Sequence, residues 1–324
     1  TDSVQSVAVA AQEGDVAKET LFSGSADRTV RIWDGSRMRY IATLKGHKGV
    51  VNAVAISQDC KCLISGSDDK TVRVWRREED SSWILQALLD HKAGVYCVAL
   101  SPNGREIVSG SRDRTVAVWQ VPSGRSEAGS TVQPVKILSG GGPVRSIAFA
   151  PGGDEPEVIF SLGQGEVVQV WDRNAQGTLR EIRAESSVDS LAFLDGPEGK
   201  LIVGGCWDGI RLWRIGDGSL FKYFSGGYVF RGGVSITRVG QRVVSCSSAG
   251  FIEVWAVNES NGEETIAGQS ANTDKERKVL TDFAVSEDRR RVVTVHDRSN
   301  MEIWNMEDGS CIRSEERRVG KECR

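Results

Sequence analysis

A short phrase that ends in tryptophan recurs along the chain and limits its possible folds more than any other feature. The phrase reads SGSADRTVRIW at residues 23–33, SGSDDKTVRVW at residues 65–75 and SGSRDRTVAVW at residues 109–119. Aligned on the final tryptophan, seven units end at Trp33, Trp75, Trp119, Trp171, Trp213, Trp255 and Trp304. Their spacings of 42 to 52 residues predict an architecture that grows by the addition of similar units.

Each unit has the sequence pattern of four short strands. In unit 2 the apolar runs are VNAVAI (51–56), LISGS (63–67), TVRVW (71–75) and ILQALL (84–89). These runs are rich in Val and Ile, and Gly, Asp and Ser separate them, which is typical of strands joined by hairpin turns.

Both faces of such a sheet carry side chains that need cover. In the third strand of unit 1, Val30 and Ile32 face one side and Trp33 faces the other, because successive side chains alternate along a strand. Sheets stacked face to face in a closed ring cover both faces. The sequence therefore predicts an all-β fold, a seven-bladed β-propeller of four-stranded antiparallel blades.

Unit 2 resembles the repeat of the WD-repeat family, which runs from a Gly-His dipeptide to a Trp-Asp dipeptide. The residues that carry the resemblance are Gly46-His47, Ser65-Gly66-Ser67, Asp69 and Val74-Trp75. The full Trp-Asp pair stands at Trp33-Asp34 and Trp171-Asp172. The resemblance covers residues 1–313, which we interpret as one propeller domain. It implies the fold and leaves the function open, because this scaffold carries many functions.

Two units hold the complete set of polar residues that the family places in a hydrogen-bonded network. The sets are His47, Ser65, Asp69 and Trp75 in unit 2, and His91, Ser109, Asp113 and Trp119 in unit 3. The resemblance implies that each set fixes its blade and performs no chemistry. Units 4 to 7 lack the Gly-His histidine. We expect apolar stacking to be the main force that holds them, with lower local stability than in units 2 and 3.

The ends of the chain and two long segments depart from the repeat. Thr1 aligns with the residue after the Gly-His dipeptide of unit 2, so we expect the domain to be N-terminally truncated within a repeat. Residues 309–314 (GSCIRS) are the candidate for the outer strand of the last unit. Residues 314–324 are highly charged and outside the repeat register, which predicts a non-native or disordered tail. Residues 122–142 and 258–278 are predicted to be extended loops.

The composition excludes several classes of protein. Lys and Arg number 41 against 44 Asp and Glu, and the formal net charge of −3 gives no reason to expect direct nucleic-acid binding. No apolar run approaches the roughly 18 residues of a membrane span. The seven cysteines include no CxxC pair, which favours free thiols in a reducing compartment. We therefore expect a cytoplasmic or nuclear protein.

No pattern in the sequence indicates catalysis, a cofactor or a metal site. His47 and His91 belong to the implied networks, and His296 is expected in a turn beside Asp297, away from any recognisable nucleophile motif. Residues 139–146 (SGGGPVRS) are Gly-rich but lack both GxGxxG and the Lys-Ser/Thr of a phosphate loop. We expect a protein that is not an enzyme.

The loops at one end of the predicted blades form a candidate partner-binding rim, since WD-repeat proteins commonly bind peptides or partner domains there. The residues that map to it are Arg28, Lys48, Lys70, Tyr96, Arg112, Arg145, Trp207, Tyr228, Phe230 and Arg231. Arginine and large aromatic residues are enriched at interface hot spots, and the cations favour an acidic or phosphorylated peptide. The alternative for Trp207 is packing between blades, and for Lys70 and Arg112 it is a solvated turn.

The expected function is a non-catalytic protein-protein interaction scaffold. One alternative is the substrate receptor of a cullin-type ubiquitin ligase. The arginine that such receptors often carry two residues after Trp-Asp is missing, because Trp33-Asp34 is followed by Gly-Ser and Trp171-Asp172 by Arg-Asn. The other alternative is the regulatory propeller of a larger multidomain protein. The sequence leaves the oligomeric state open.

Overall fold

A computed structural model of the protein shows a chain built from β-strands. The residues that it describes are 3–12, 15–35, 37, 39–57, 59–122, 131–139, 141–149, 158–162, 166–172, 178–196, 199–225, 233–237, 242–246, 252–257, 265–267, 280–286, 291–296, 300–305 and 310–316.

The strands in these residues are β1 (Val4–Gln12), β2 (Asp15–Ser25), β3 (Val30–Asp34), β4 (Arg39–Leu44), β5 (Val51–Ile56), β6 (Cys62–Ser67), β7 (Thr71–Arg77), β8 (Trp83–Asp90), β9 (Val95–Leu100), β10 (Glu106–Ser111), β11 (Thr115–Gln120), β12 (Thr131–Val132), β13 (Lys136–Ser139), β14 (Ile147–Phe149), β15 (Val158–Leu162), β16 (Val167–Asp172), β17 (Thr178–Arg183), β18 (Val188–Gly196), β19 (Gly199–Cys206), β20 (Gly209–Arg214), β21 (Leu220–Ser225), β22 (Gly233–Thr237), β23 (Arg242–Cys246), β24 (Ile252–Ala256), β25 (Thr265–Ala267), β26 (Leu280–Val285), β27 (Arg291–His296), β28 (Asn300–Asn305) and β29 (Cys311–Glu316).

Within the described residues the strands form seven sheets, which we number in chain order. Sheet 1 contains β1–β4, sheet 2 contains β5–β8, and sheet 3 contains β9, β10, β11 and β13. Sheet 4 contains β14–β17, sheet 5 contains β18–β21, sheet 6 contains β22–β25, and sheet 7 contains β26–β29. Neighbouring strands of each four-stranded set pair antiparallel, and β12 adds a short parallel strand to the outer edge of sheet 2. The four strands predicted for unit 2 are confirmed as β5 to β8. The fold is an all-β propeller of four-stranded antiparallel blades.

The core lies between the sheets. The first strand of each sheet contacts the first strand of the next, and β26 of sheet 7 contacts β1 of sheet 1. A buried apolar cluster fills each of these contacts between sheets. The tryptophan that ends a unit packs against the preceding sheet, as Trp75 does against Phe22 and Ile32 of sheet 1. The alternation of side chains along each strand therefore supplies both faces of the core.

The glycine of each SGS phrase lets the next sheet approach closely. A Cβ atom on Gly66 would lie 2.8 Å from Val95 Cγ1, and one on Gly110 would lie 2.5 Å from Val144 Cγ1 and 2.6 Å from Cys97 Sγ. Real Cβ atoms do not approach other heavy atoms so closely. The recurrence of this glycine in the sequence therefore has a packing cause.

We expect Gly110→Ala to lower the free energy of unfolding by about 2 kcal/mol, because the added methyl group overpacks the contact between sheets 3 and 4. Urea denaturation measures the change. Gly141→Ala is the matched control, since a Cβ atom there would have nothing within 4 Å. Equal stability of the two variants would contradict the packing explanation.

The structure differs from the sequence-based expectations in four segments. Residues 122–142 contain β12 and β13 in addition to loop, because their backbone groups pair with β8 and β11. Residues 258–278, also predicted to be a loop, contain β25, which pairs with β24. Strand β29 continues past the predicted boundary at residue 313 and pairs as far as Glu316, since ladder bonds need only backbone groups. His296 is a buried residue at the end of β27, so its predicted place in a turn is wrong.

The described cysteines, namely Cys60, Cys62, Cys97, Cys206 and Cys311, are free thiols. In the described part of the chain no helix has the length and apolar character needed to cross a membrane.

Candidate functional site

A backbone hydrogen bond that recurs in several sheets places the predicted turns at one end of those sheets. In four sheets, the residue that begins the turn after the second strand donates its amide N–H to the carbonyl of the loop before the first strand. The bonds are Ala26 N to Ser3 O at 2.9 Å, Asp68 N to Val50 O at 2.9 Å, Arg112 N to Gly94 O at 2.8 Å, and Trp207 N to Ser187 O at 2.9 Å. We call these turns and loops the rim.

In sheet 2 a chain of four side chains ties the rim to the core. Trp75 Nε1 donates to Ser65 Oγ at 2.9 Å, and Ser65 Oγ lies 2.8 Å from His47 Nε2. His47 Nδ1 lies 2.8 Å from Asp69 Oδ2, which also accepts from Lys48 N at 2.8 Å. The strand residues thus hold the histidine, and the histidine holds the turn carboxylate.

The available donors fix the direction of these bonds. Because the ionised Asp69 only accepts, His47 Nδ1 carries the proton and donates to it, and the unprotonated Nε2 of the neutral ring accepts from the Ser65 hydroxyl. The Ser65 oxygen accepts in turn from the Trp75 indole N–H. Burial lowers the pKa of His47 despite the neighbouring carboxylate. Burial also disfavours the charged Asp69, but the bonds from His47, Lys48 and Thr71 hold its pKa below the usual range. A neutral histidine and a charged aspartate satisfy the network at neutral pH.

Sheet 3 repeats this arrangement. Trp119 Nε1 donates to Ser109 Oγ at 2.8 Å, Ser109 Oγ lies 2.7 Å from His91 Nε2, and His91 Nδ1 lies 3.2 Å from Asp113 Oδ2. Lys92 N donates to the same carboxylate at 2.9 Å. In both sheets the four side chains therefore bond one another in a continuous chain.

Three basic residues occupy the same position of the rim in an unusual backbone conformation. Arg28, Lys70 and Arg114 have φ values of 69°, 75° and 70°, in the left-handed region that non-glycine residues rarely adopt. The preceding aspartate fixes each turn by accepting from the following threonine amide, as Asp69 Oδ1 does from Thr71 N at 3.0 Å. This conformation holds three exposed cations at equivalent places in sheets 1 to 3.

Exposed cations outnumber exposed carboxylates on the rim of sheets 1 to 3. The fully described segments 26–29, 45–50, 68–71, 90–94 and 112–115 contain seven exposed cations, namely Arg28, Lys45, Lys48, Lys70, Lys92, Arg112 and Arg114. The exposed carboxylates in these segments are Asp68 and Asp90. Arg31 neutralises Asp27, whereas Asp69 and Asp113 keep their charge, because their histidine partners have lowered pKa values. Seven exposed cations still outnumber the four carboxylates of Asp68, Asp69, Asp90 and Asp113, so this part of the rim is basic.

Sheet 5 stabilises its turn in another way. Gly204 stands where sheets 2 and 3 have the network serine, since it pairs with Arg211 as Ser65 pairs with Arg73. Arg211 forms a bidentate ion pair with Asp208 at 2.5 and 2.8 Å. The Arg211 guanidinium also lies 4.5 Å from the centre of the Tyr223 ring, and the Tyr223 hydroxyl donates to Asp208 O at 2.9 Å. Above this cluster the Trp207 side chain is 52% exposed. The structure thus places Trp207 on the rim surface.

Sheet 7 has a polar network that the sequence analysis missed. Trp304 Nε1 donates to Thr294 Oγ1 at 3.0 Å, and His296 Nε2 lies 3.3 Å from that hydroxyl and 3.2 Å from Glu302 Oε2. The histidine comes from β27 itself and replaces the absent Gly-His histidine. Sheets 5 and 7 therefore have polar contacts in addition to their apolar clusters. The expectation that apolar stacking is the main force in units 4 to 7 stays a prediction.

The remaining predicted rim residues have different positions. Arg145 stands just before β14 with its side chain 66% exposed, 3.9 Å from Asp189. Tyr96 is half-buried in β9. The predicted Tyr228, Phe230 and Arg231 lie outside the described residues. Among the residues that the structure describes, no group of three His, Cys, Asp or Glu residues could hold a metal ion.

Comparison with known proteins agrees with this geometry. A family model described as WD domain, G-beta repeat matches residues 1–34, 38–76 and 83–120, which are the first three units. A search of curated proteins gave no significant match. WD-repeat propellers are generally protein-interaction scaffolds and are typically non-catalytic. The three matched repeats and the four-stranded antiparallel sheets show that residues 1–120 are WD repeats of a β-propeller.

Proposed function

We propose that the seven sheets are the seven blades of one ring, and that the ring is a non-catalytic scaffold whose basic rim over sheets 1 to 3 binds acidic or phosphorylated peptide segments of partner proteins. The contact of β26 with β1 supports the closed ring. The observation that supports an anionic partner is the excess of exposed cations over exposed carboxylates on the rim.

The arrangement of these cations suits an extended anionic segment. Arg28, Lys70 and Arg114 repeat from sheet to sheet, so their charges are spread along an arc of the rim. An exposed ion pair contributes only about 0.2 to 1 kcal/mol, and a single contact would bind weakly. Several contacts along one peptide add up, and the summed field raises the rate of encounter with an anionic partner.

The rim also offers an aromatic anchor. Trp207 is half exposed above the Arg211–Asp208 pair, and arginine and tryptophan are the residue types that dominate interface hot spots. The neighbouring Tyr223 is also exposed, and its bond to Asp208 O fixes it beside the turn. We propose that sheet 5 contributes apolar contacts to the same partner.

We expect the triple variant Arg28→Asn, Lys70→Asn, Arg114→Asn to bind a phosphoserine peptide about tenfold more weakly than the wild type, because three ion pairs are lost. Asparagine tolerates the left-handed conformation, so the turns are kept. Fluorescence anisotropy measures binding of a short synthetic peptide that alternates glutamate and serine, of its phosphoserine form, and of an uncharged glutamine form.

The matched control removes the same number of exposed cations from the opposite end of sheets 2 and 3, as Lys61→Asn, Arg76→Asn, Arg105→Asn. We expect this control to bind like the wild type. An equal loss in both variants would show that net charge, and not the rim, attracts the peptide. Equal affinity of the wild type for the glutamine form would refute the preference for acidic partners.

A further inference from the structure

Backbone amides of two first strands donate to hydroxyl groups of the preceding sheet. Val54 N in β5 donates to Ser6 Oγ in β1 at 3.3 Å, and Leu191 N in β18 donates to Ser146 Oγ, just before β14, at 3.0 Å. A serine hydroxyl does not ionise near neutral pH. Neither acceptor is therefore an ionisable group.

The contact between sheet 7 and sheet 1 has a carboxyl group in the same place. The segments VQSV, VRSI and LTDF align Asp282 with Ser6 and Ser146. Asp282 Oδ2 accepts from Val7 N in β1 at 2.8 Å, and the adjacent Thr281 Oγ1 donates to Val4 O at 2.7 Å. An ionisable group thus takes the role that a hydroxyl has at the other two contacts.

This contact joins the first and last sheets of the chain side by side. Among the described strands, none belongs to both sheets. The contact also contains an apolar cluster that includes Trp33 and Met301, and an ion pair of Arg291 with Glu19 at 3.4 Å. The bonds of Asp282 and Thr281 link the two inner strands directly, so a change at Asp282 acts on the closure of the ring.

The titratable groups around Asp282 are few. The described strands that pack against β26 are β1, β22 and β27, and the first two carry no titratable side chain. Strand β27 carries Arg291 at its start, which pairs with Glu19, and His296 at its end, which contacts Glu302. Asp282 itself is therefore the acid whose protonation alters the bond between β26 and β1.

Burial raises the pKa of Asp282 to about 6, although Val7 N, Phe283 N and the Ser6 hydroxyl favour the charged form. The residue is half-buried and keeps partial access to solvent. If the whole difference from the ordinary aspartate pKa were realised, protonation would favour the closed contact by a factor of about one hundred. The partial access of Asp282 to solvent makes the expected factor smaller.

We propose that the contact between sheets 7 and 1 is a pH-responsive closure of the ring, which is tighter in mildly acidic solution and looser at neutral pH and above. Where the closed contact binds a proton more tightly than the open one, protonation favours closure. The added stability is present below the ordinary pKa of aspartate. It is lost as the pH rises through about 6.

Amide hydrogen exchange tests this closure at single residues. Val7 N reports on the Asp282 bond, and Val54 N and Leu191 N report on the two serine bonds. Protection factors, corrected for intrinsic exchange, are compared at pH 5 and pH 7.5 in the wild type and in Asp282→Ser. We expect protection of wild-type Val7 to be several-fold higher at pH 5, with little change at Leu191 and none at Val7 in the variant. Val54 is not a control, because its acceptor Ser6 also bonds Asp282.

Two results would overturn the proposal. One is an equal pH dependence of Val7 and Leu191 in the wild type, and the other is an unchanged pH dependence of Val7 in Asp282→Ser. Because the variant keeps His296 and changes only Asp282, its comparison with the wild type isolates the effect of Asp282. If Asp282→Ser does not fold, the Asp282 carboxyl carbon is titrated by NMR in the wild type. A midpoint at the ordinary value of an exposed aspartate refutes the proposal.

Discussion

Replacement of Asp69 by alanine is expected to lower the free energy of unfolding by about 3 kcal/mol. The change leaves His47 Nδ1–H, Lys48 N and Thr71 N without their acceptor, and the His47 side chain is only 1% exposed. Urea denaturation measures the loss, and hydrogen exchange shows whether it is concentrated in sheet 2.

Asp68→Ala is the matched control in the same turn. Asp68 is exposed, and its carboxylate accepts from the half-buried Asn52 side chain at 2.8 Å, so we expect a loss below about 1 kcal/mol. Asp69→Asn keeps an acceptor oxygen, and its effect should lie between those of the two alanine variants. Equal losses in Asp68→Ala and Asp69→Ala would show that the network contributes nothing beyond an ordinary turn.

Removal of Glu302 is expected to destabilise sheet 7 by a similar amount, about 3 kcal/mol in the alanine variant. The side chains of His296 and Glu302 are 6% and 12% exposed, so the lost contact cannot be replaced by bulk water without local opening. Urea denaturation combined with exchange at β27 amides measures the effect.

A double-mutant cycle separates the His296–Glu302 contact from the effect of lost packing. We expect the single variants His296→Ala and Glu302→Ala and the double variant to show a coupling energy of about 1 kcal/mol or more. Additive effects of the two changes would mean that the pair does not act as a unit, and that sheet 7 is held by its apolar cluster alone.

The repeat made much of the fold predictable. Strands β5 to β8 follow the alternation and turn residues of unit 2, and both are local properties of the sequence. The networks of sheets 2 and 3 were predictable by resemblance, because their members recur at fixed distances from the tryptophan. The reason for the glycine of SGS became clear only from the approach of the neighbouring sheet.

The network in sheet 7 had a signal that the sequence analysis did not use. Thr294 and His296 are two residues apart and so share a face of β27, and Thr294 pairs with Glu302 in the strand register. The Arg211–Tyr223 contact has the same origin, since these residues are register partners in β20 and β21. Cross-strand neighbours become predictable only when the pairing register is known.

The sequence by itself determined the repeat, the strand pattern, the two histidine networks and the basic character of the first turns, because each depends on residues within one unit. The tertiary structure alone decided that Trp207 is exposed, that His296 meets Glu302, and that Asp282 meets Val7 across 275 residues of sequence. Strand pairing and ring closure bring such groups together, and both depend on the packing of whole sheets.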